Sequence, residues 1–176
     1  VGSVAAIVLP AVSSAATSSN TTLQINVTGG DISISAPAGP VVLGSGDLTT
    51  GTLSGTFTNS VGSVAVTDNR GALAASWTVN AAFTDWHPST AGASDHTADV
   101  SAATTLYTTG SKTAGNAVFV SLASAAGLGS LLPVASGTGV GINSATWNPT
   151  VAVPKAGFTT AATYTATLTH SVTVIA

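Results

Sequence analysis

The stretch DWHPSTAGASDHTAD, Asp85 to Asp99, is where groups able to ligate a metal or move a proton crowd together. It holds Asp85, Asp95 and Asp99, with His87 and His96 beside them. Carboxylate oxygens and imidazole nitrogens at such spacing could bind a cation. Two carboxylates could also serve a hydrolase, which would need two of the six aspartates because the chain has no glutamate. The spacing matches neither an EF-hand loop nor His-x-x-x-His. It equally describes a solvated loop that uses Asp for turns and caps. That is the expectation: no metal, no cofactor and no catalytic residue, with a hydrolase on the Asp85–Asp99 loop kept as an alternative.

Other chemistry is thin. There is no G-x-S-x-G elbow, and serine is too abundant for any pairing with His and Asp to inform. Gly137-Thr138-Gly139-Val140-Gly141 lacks a following lysine and reads as a flexible turn rather than a phosphate cradle. Asn20 and Asn26 head N-x-[ST] triplets that matter only on a glycosylating secretory route. His170 alternates with apolar residues and reads as a core or rim histidine.

The elements that must position these groups are strands. About three residues in ten are Ser or Thr, and only 5% are charged. Mean hydropathy is nevertheless +0.50, which removes the disorder reading. Thr and Val in place of Lys and Glu suit sheets. Strict alternation recurs. Leu23, Ile25 and Val27 share a face, and ISISA alternates from Ile32. GTLSGTF aligns Leu53 with Phe57, and VAVTDN runs from Val64 into a turn. Leu73, Ala75, Trp77, Val79, Ala81 and Phe83 share one face of a long strand. TWNPTVAV puts Trp147, Val151 and Val153 on one side, with Pro149 marking an edge or irregular start. Tyr164, Ala166, Leu168, His170, Val172 and Val174 line one face of the last strand.

Between Asp85 and Asn116 the pattern weakens into a long loop or a pair of short edge strands. Val118 to Leu132 is the one place a short helix could sit, against two glycines. The expected architecture is an all-β antiparallel sandwich of Ig-like or Greek-key type, with roughly eight to ten strands and little or no helix. One domain spans 17–176, with a loop-rich insertion around 85–116.

Residues 1–16 read as the tail of a secretory signal: Val4 to Val12 is an apolar run of h-region length, and SSAA ends in small residues. A buried first strand and a donor strand inserted into a neighbouring subunit are the alternatives. The run is too short to cross a membrane. The net charge is −3, and the cations are Arg70, Lys112 and Lys155 alone. Three scattered cations cannot neutralise a nucleic-acid backbone or an anionic polymer. The chain contains neither Cys nor Met, so no disulfide marks the compartment.

Two stretches together resemble the WxL domain of Gram-positive cell-surface proteins, in the manner of an actinobacterial relative. Trp77-Thr78-Val79 stands where that family has a distal Trp-x-Leu motif. Tyr164, Leu168 and Thr169 match the proximal motif, with His170 in place of Trp and Val172 in place of Leu. The resemblance covers the chain from about Leu23 onward and is that of a divergent relative. It implies a secreted, non-catalytic, all-β domain held non-covalently on the cell wall, through peptidoglycan or beside partner surface proteins. With so few cations, wall binding would rest on Ser, Thr, Asn and backbone hydrogen bonds, with stacking on an exposed Trp86 or Trp147. The motif residues themselves fall on buried faces and read first as packing. A homopolymer built by strand donation from the N-terminal segment is the second reading.

Overall fold

The computed structural model describes residues 22–49, 51–122 and 125–175. The signal-like and donor-strand readings of residues 1–16 lie outside them. The fold is all-β, with strands β1 (Ile32–Ser35), β2 (Thr56–Ser60), β3 (Val64–Asp68), β4 (Ala75–Phe83) and β5 (His87–Pro88). Then come β6 (Leu106–Thr108), β7 (Lys112–Ala114), β8 (Val118–Ser121), β9 (Ala125–Ala126) and β10 (Leu132–Gly139). The last are β11 (Asn143–Trp147), β12 (Thr150–Pro154), β13 (Tyr164–Thr165) and β14 (Leu168–Ile175). The fourteen strands of the described residues exceed the roughly eight to ten expected from spacing, because several are only two or three residues long. Two 3-10 turns, Ala102–Thr104 and Lys155–Gly157, are the helical content of the described residues.

Every pairing is antiparallel. Three four-stranded sheets run β1-β3-β11-β7, β14-β4-β10-β8 and β2-β12-β6-β9, and a ribbon joins β13 to β5. One continuous apolar core receives side chains from all three larger sheets, including Val66, Trp77, Tyr107, Val134, Trp147 and Val153. β4 shows why. Ala75, Trp77, Val79, Ala81 and Phe83 are all buried, and the residues between them are half-exposed, as the two-residue period of a pleated strand demands. Leu73, expected on the same face, is 88% exposed because β4 begins only at Ala75.

Phe119 of β8 sits between two sheets' tryptophans, 6.5 Å from Trp77 and 5.2 Å from Trp147. Along β4 and β14 the cross-strand partners are Trp77 with Val174, Ala81 with His170 and Phe83 with Leu168. A second aromatic group closes the Phe83 end: Phe83 stacks on Trp86, which meets Phe158 edge-on, and Phe158 meets Tyr164 and Phe57. Offset and edge-on contacts of this kind add to the burial of each ring.

Several expectations are corrected. Leu23–Val27 forms no strand, and it exposes all three of its apolar side chains. TWNPTVAV is two strands in different sheets, since Pro149 cannot donate to a ladder and the chain changes sheets there. The Tyr164–Val174 alternation is also split, because β13 pairs with β5 while β14 pairs with β4. Val118–Leu132 carries β8, β9 and the start of β10 rather than a helix. The 85–116 insertion contributes β6, which pairs on both sides, to one sheet and β7 to another.

Gly137 and Gly139 are not in a flexible turn. They lie in β10, where a Cβ on Gly137 would fall 2.1 Å from the Trp77 ring, and one on Gly139 would fall 2.6 Å from Asn143. The tryptophan lies flat on backbone that only glycine leaves bare. Gly137→Ala is therefore expected to lose about 3 kcal/mol of stability, at the upper end for overpacking, read as a lower urea midpoint. An unchanged midpoint would show that the Trp77 contact is not tight.

Candidate functional site

The chemistry-bearing stretch is folded by a single cross-strand bridge. Trp86 and Val100 pair antiparallel, with Trp86 N–H donating to the Val100 carbonyl at 2.8 Å and Val100 N–H returning at 3.0 Å. The next residues inward are then His87 and Asp99, brought side by side by the ladder itself. A turn closed by Asp99 N–H on the His96 carbonyl adds His96. The Asp99 carboxylate now lies between two imidazoles: His87 Nδ1 is 2.7 Å from Oδ1, and His96 Nδ1 is 2.7 Å from Oδ2. The rings themselves are 5.5 Å apart, edge to face. Burial acts to raise the Asp99 carboxyl, but the hydrogen bonds from His96 and His87 outweigh it and hold the group below its ordinary range.

Neighbouring carboxylates have structural work. Asp85 accepts the backbone N–H of Ala102 at 2.7 Å, fixing the end of the loop onto a 3-10 turn. Asp95 accepts both the N–H and the hydroxyl of Thr97, and its carboxyl is lowered by those bonds. This is the Asx turn expected of a solvated loop.

The group opens on a cavity of about 490 Å³ lined by Thr84, Asp85, His87, His96, Asp99, Thr165, Ala166 and Thr167. Its walls come from the chain leaving β4 and the chain entering β14. Thr84 and Thr167 tie those segments together: Thr84 N–H donates to the Thr167 carbonyl at 3.0 Å, and Thr167 N–H donates to Thr84 Oγ1 at 2.9 Å. β13 secures the other side, with Thr165 opposite His87. The lining offers hydroxyls, carboxylates and imidazoles and no Lys or Arg, a set that recognises hydroxyl and amide groups rather than polyanions.

No family model, curated protein or solved structure matches this chain.

The residues named from the sequence fall in two classes. Trp77, Val79, Leu168, His170 and Val172 lie on the paired strands β4 and β14, and Val79 stands directly opposite Val172. Trp77 and Val79 are fully buried. Thr169 is exposed on the opposite face, and Tyr164 packs on Phe158 at 4.8 Å. Trp147, expected as an exposed stacking surface, is 0% exposed, because Asn148-Pro149 turns the chain only after Trp147 has entered the core. It can contact no ligand. Trp86 is half-buried between Phe83 and Phe158, where it packs, and it donates its indole N–H to Thr105 Oγ1 at 3.0 Å. Thr84, Thr165 and Thr167 were missed. Only their positions flanking two long strands could have pointed to them.

His170 Nε2 lies 3.0 Å from the Tyr107 hydroxyl. Burial lowers the imidazole from its ordinary 6.5 to about 4 and pushes the phenol up to about 12. The unfolded chain therefore takes up a proton near pH 6.5 that the folded chain refuses until near pH 4. Stability from this group falls as pH drops through that window. We expect a loss of about 3 kcal/mol between these limits, measured by urea unfolding, and His170→Gln should remove it while keeping a partner for Tyr107. An identical pH slope in the variant would assign the loss to other groups.

Proposed function

We propose that the chain is a non-catalytic module of a bacterial cell surface, a divergent relative of wall-associated WxL domains that engages peptidoglycan at the Thr84–Asp99–Thr167 cavity. The observation that supports this reading is the pairing of β4 with β14. It sets the two motif-bearing strands side by side, Val79 against Val172, and the cavity is built from the segments that continue them. Rigid strands presenting a polar loop-lined cavity are the usual division of labour in a binding domain. The polar, cation-free lining suits the hydroxyl and amide groups of a glycan–peptide mesh through hydrogen bonds. In a pull-down on peptidoglycan stripped of anionic polymers, the chain should be retained at high salt. Ala166→Trp, which fills the cavity, should abolish retention. Retention that disappears with salt, or that the variant keeps, would remove this reading.

One observation favours a second reading, self-association by strand addition. Leu23, Ile25 and Val27 are 88%, 88% and 89% exposed, on a segment that joins no strand ladder among the described residues. The segment leaves the body where Gly30 N–H bonds the Asn69 carbonyl at 2.7 Å. Meanwhile β14, an edge strand of eight residues, carries no charge and no proline, and Val174 and Ile175 near its end are about half-exposed. Edges are ordinarily blunted by such residues. An alternating apolar arm and an edge without charge or proline, with β1 lying near it, are the two halves of a strand-addition joint between copies. Sedimentation over a concentration series should show oligomers of the whole chain, and Ile25→Asp should leave monomers. A chain that stays monomeric throughout would exclude the joint.

A further inference from the structure

We infer that His87, His96 and Asp99 form a site for one transition-metal ion of the zinc or cobalt type, which staples the 89–99 loop to the β5–β13 ribbon. Each residue offers one ligand atom, and these atoms all lie within 4.8 Å of one another. Two nitrogens and one carboxylate oxygen about a centre at ~2.0–2.2 Å require separations of ~3.4 Å, within reach of small ring rotations. The donor set is borderline in softness. It selects zinc, cobalt, nickel or copper over calcium and magnesium, which take oxygen shells.

The site is pre-arranged rather than accidental. The bridge between Trp86 and Val100 forces His87 and Asp99 together, and β13 holds His87 from its other side. Asp99 is only 10% exposed in its side chain, so its charge faces the two imidazoles rather than water. His87 is 26% exposed and His96 69% exposed, leaving an entry path. Two of the chain's three histidines meet here in a protein only 5% charged. Without the ion, Asp99 binds both rings by hydrogen bonds. With it, the ion takes the place of those protons and Asp99 stays as its anionic ligand. The remaining coordination position faces the cavity, where water or a ligand's oxygen completes the shell.

A chain with no cysteine cannot cross-link this loop by a disulfide. A metal supplies the same kind of constraint, and binding to the folded form alone raises stability by mass action. The inference does not rest on the wall-binding reading, since it concerns the ion and the loop alone.

The test uses the full chain without a histidine tag, stripped by chelator and titrated with Co²⁺ and then Zn²⁺ alone. One equivalent of Co²⁺ should give a visible absorption band, Zn²⁺ should displace it at one to one, and the melting temperature should rise with zinc. His96→Gln, at an exposed position that the fold does not need, should weaken affinity tenfold or more. Asp99→Asn should do the same, and His170→Gln, on β14 outside the cavity lining, should leave affinity unchanged. Absence of a saturable single equivalent, or an affinity that His96→Gln leaves intact, would overturn the site.

Discussion

The buried carboxylate of Asp68 is the constraint around which the sandwich is organised. Its side chain is 0% exposed at the end of β3, and an unpaired charge there would cost several kcal/mol. The only arginine in the chain answers it. Arg70 Nε donates to Oδ1 at 2.9 Å and a terminal guanidinium nitrogen donates to Oδ2 at 2.7 Å, the two-point geometry of an arginine fork. The same terminal nitrogen reaches the Ser76 carbonyl on β4 at 3.1 Å. From the other side, Asn143 of β11 donates to Asp68 at 3.4 Å and accepts the Trp77 indole N–H at 3.2 Å. The side-chain hydrogen bond from Arg70 holds the Asp68 carboxyl below its ordinary range against the opposing effect of burial. One polar chain thus ties β3 and β11 of one sheet to β4 of the next.

That chain sets the position of Trp77, and the rest of the core follows. With the indole fixed at both its N–H and its face, β10 must bring glycine against it, and Phe119 fills the gap to Trp147. β4 then runs in fixed register from Trp77 to Phe83, where the second aromatic group takes over. Interiors packed this densely transmit position along a strand. The loop after Phe83 therefore leaves from a defined point, and so does the partner segment entering β14. The cavity exists because two long strands end together and their continuations are tied by Thr84 and Thr167.

Much of this was legible where one strand has one wet face. The alternation of β3 and β4 follows from burial on a single side, and period-two reading recovers it; on β14 it holds only at the start, since Ser171 is half-buried and Val174 half-exposed. It failed where a buried run spans two elements: Trp147, Val151 and Val153 are all buried, but on strands of different sheets, so their shared period is coincidental. It failed again at Leu23–Val27, where the pattern is present but the partner strand is not among the described residues. The Asp85–Asp99 cluster was visible as chemistry, whereas the Trp86–Val100 bridge that gives it geometry has no local signal. Gly137 and Gly139 were misread because a glycine that yields to a ring from another strand looks in sequence like a glycine in a turn.

Charge is so scarce that nearly every charged group with a described contact supports the fold. Arg70 and Asp68 compensate each other. Lys112 donates to the Ala117 carbonyl at 2.5 Å, and Lys155 lies over the Phe57 ring at 4.8 Å. Asp47, Asp85 and Asp95 accept from nearby backbone N–H groups. Asp99, which shares the cavity lining with Asp85, is the carboxylate met by histidines. Recognition on such a surface falls to hydroxyls, amides and exposed strand edges, whose interactions salt does not screen as it screens charge pairs. The one anionic, histidine-flanked centre is where the chemistry of a partner or an ion has the most to act upon.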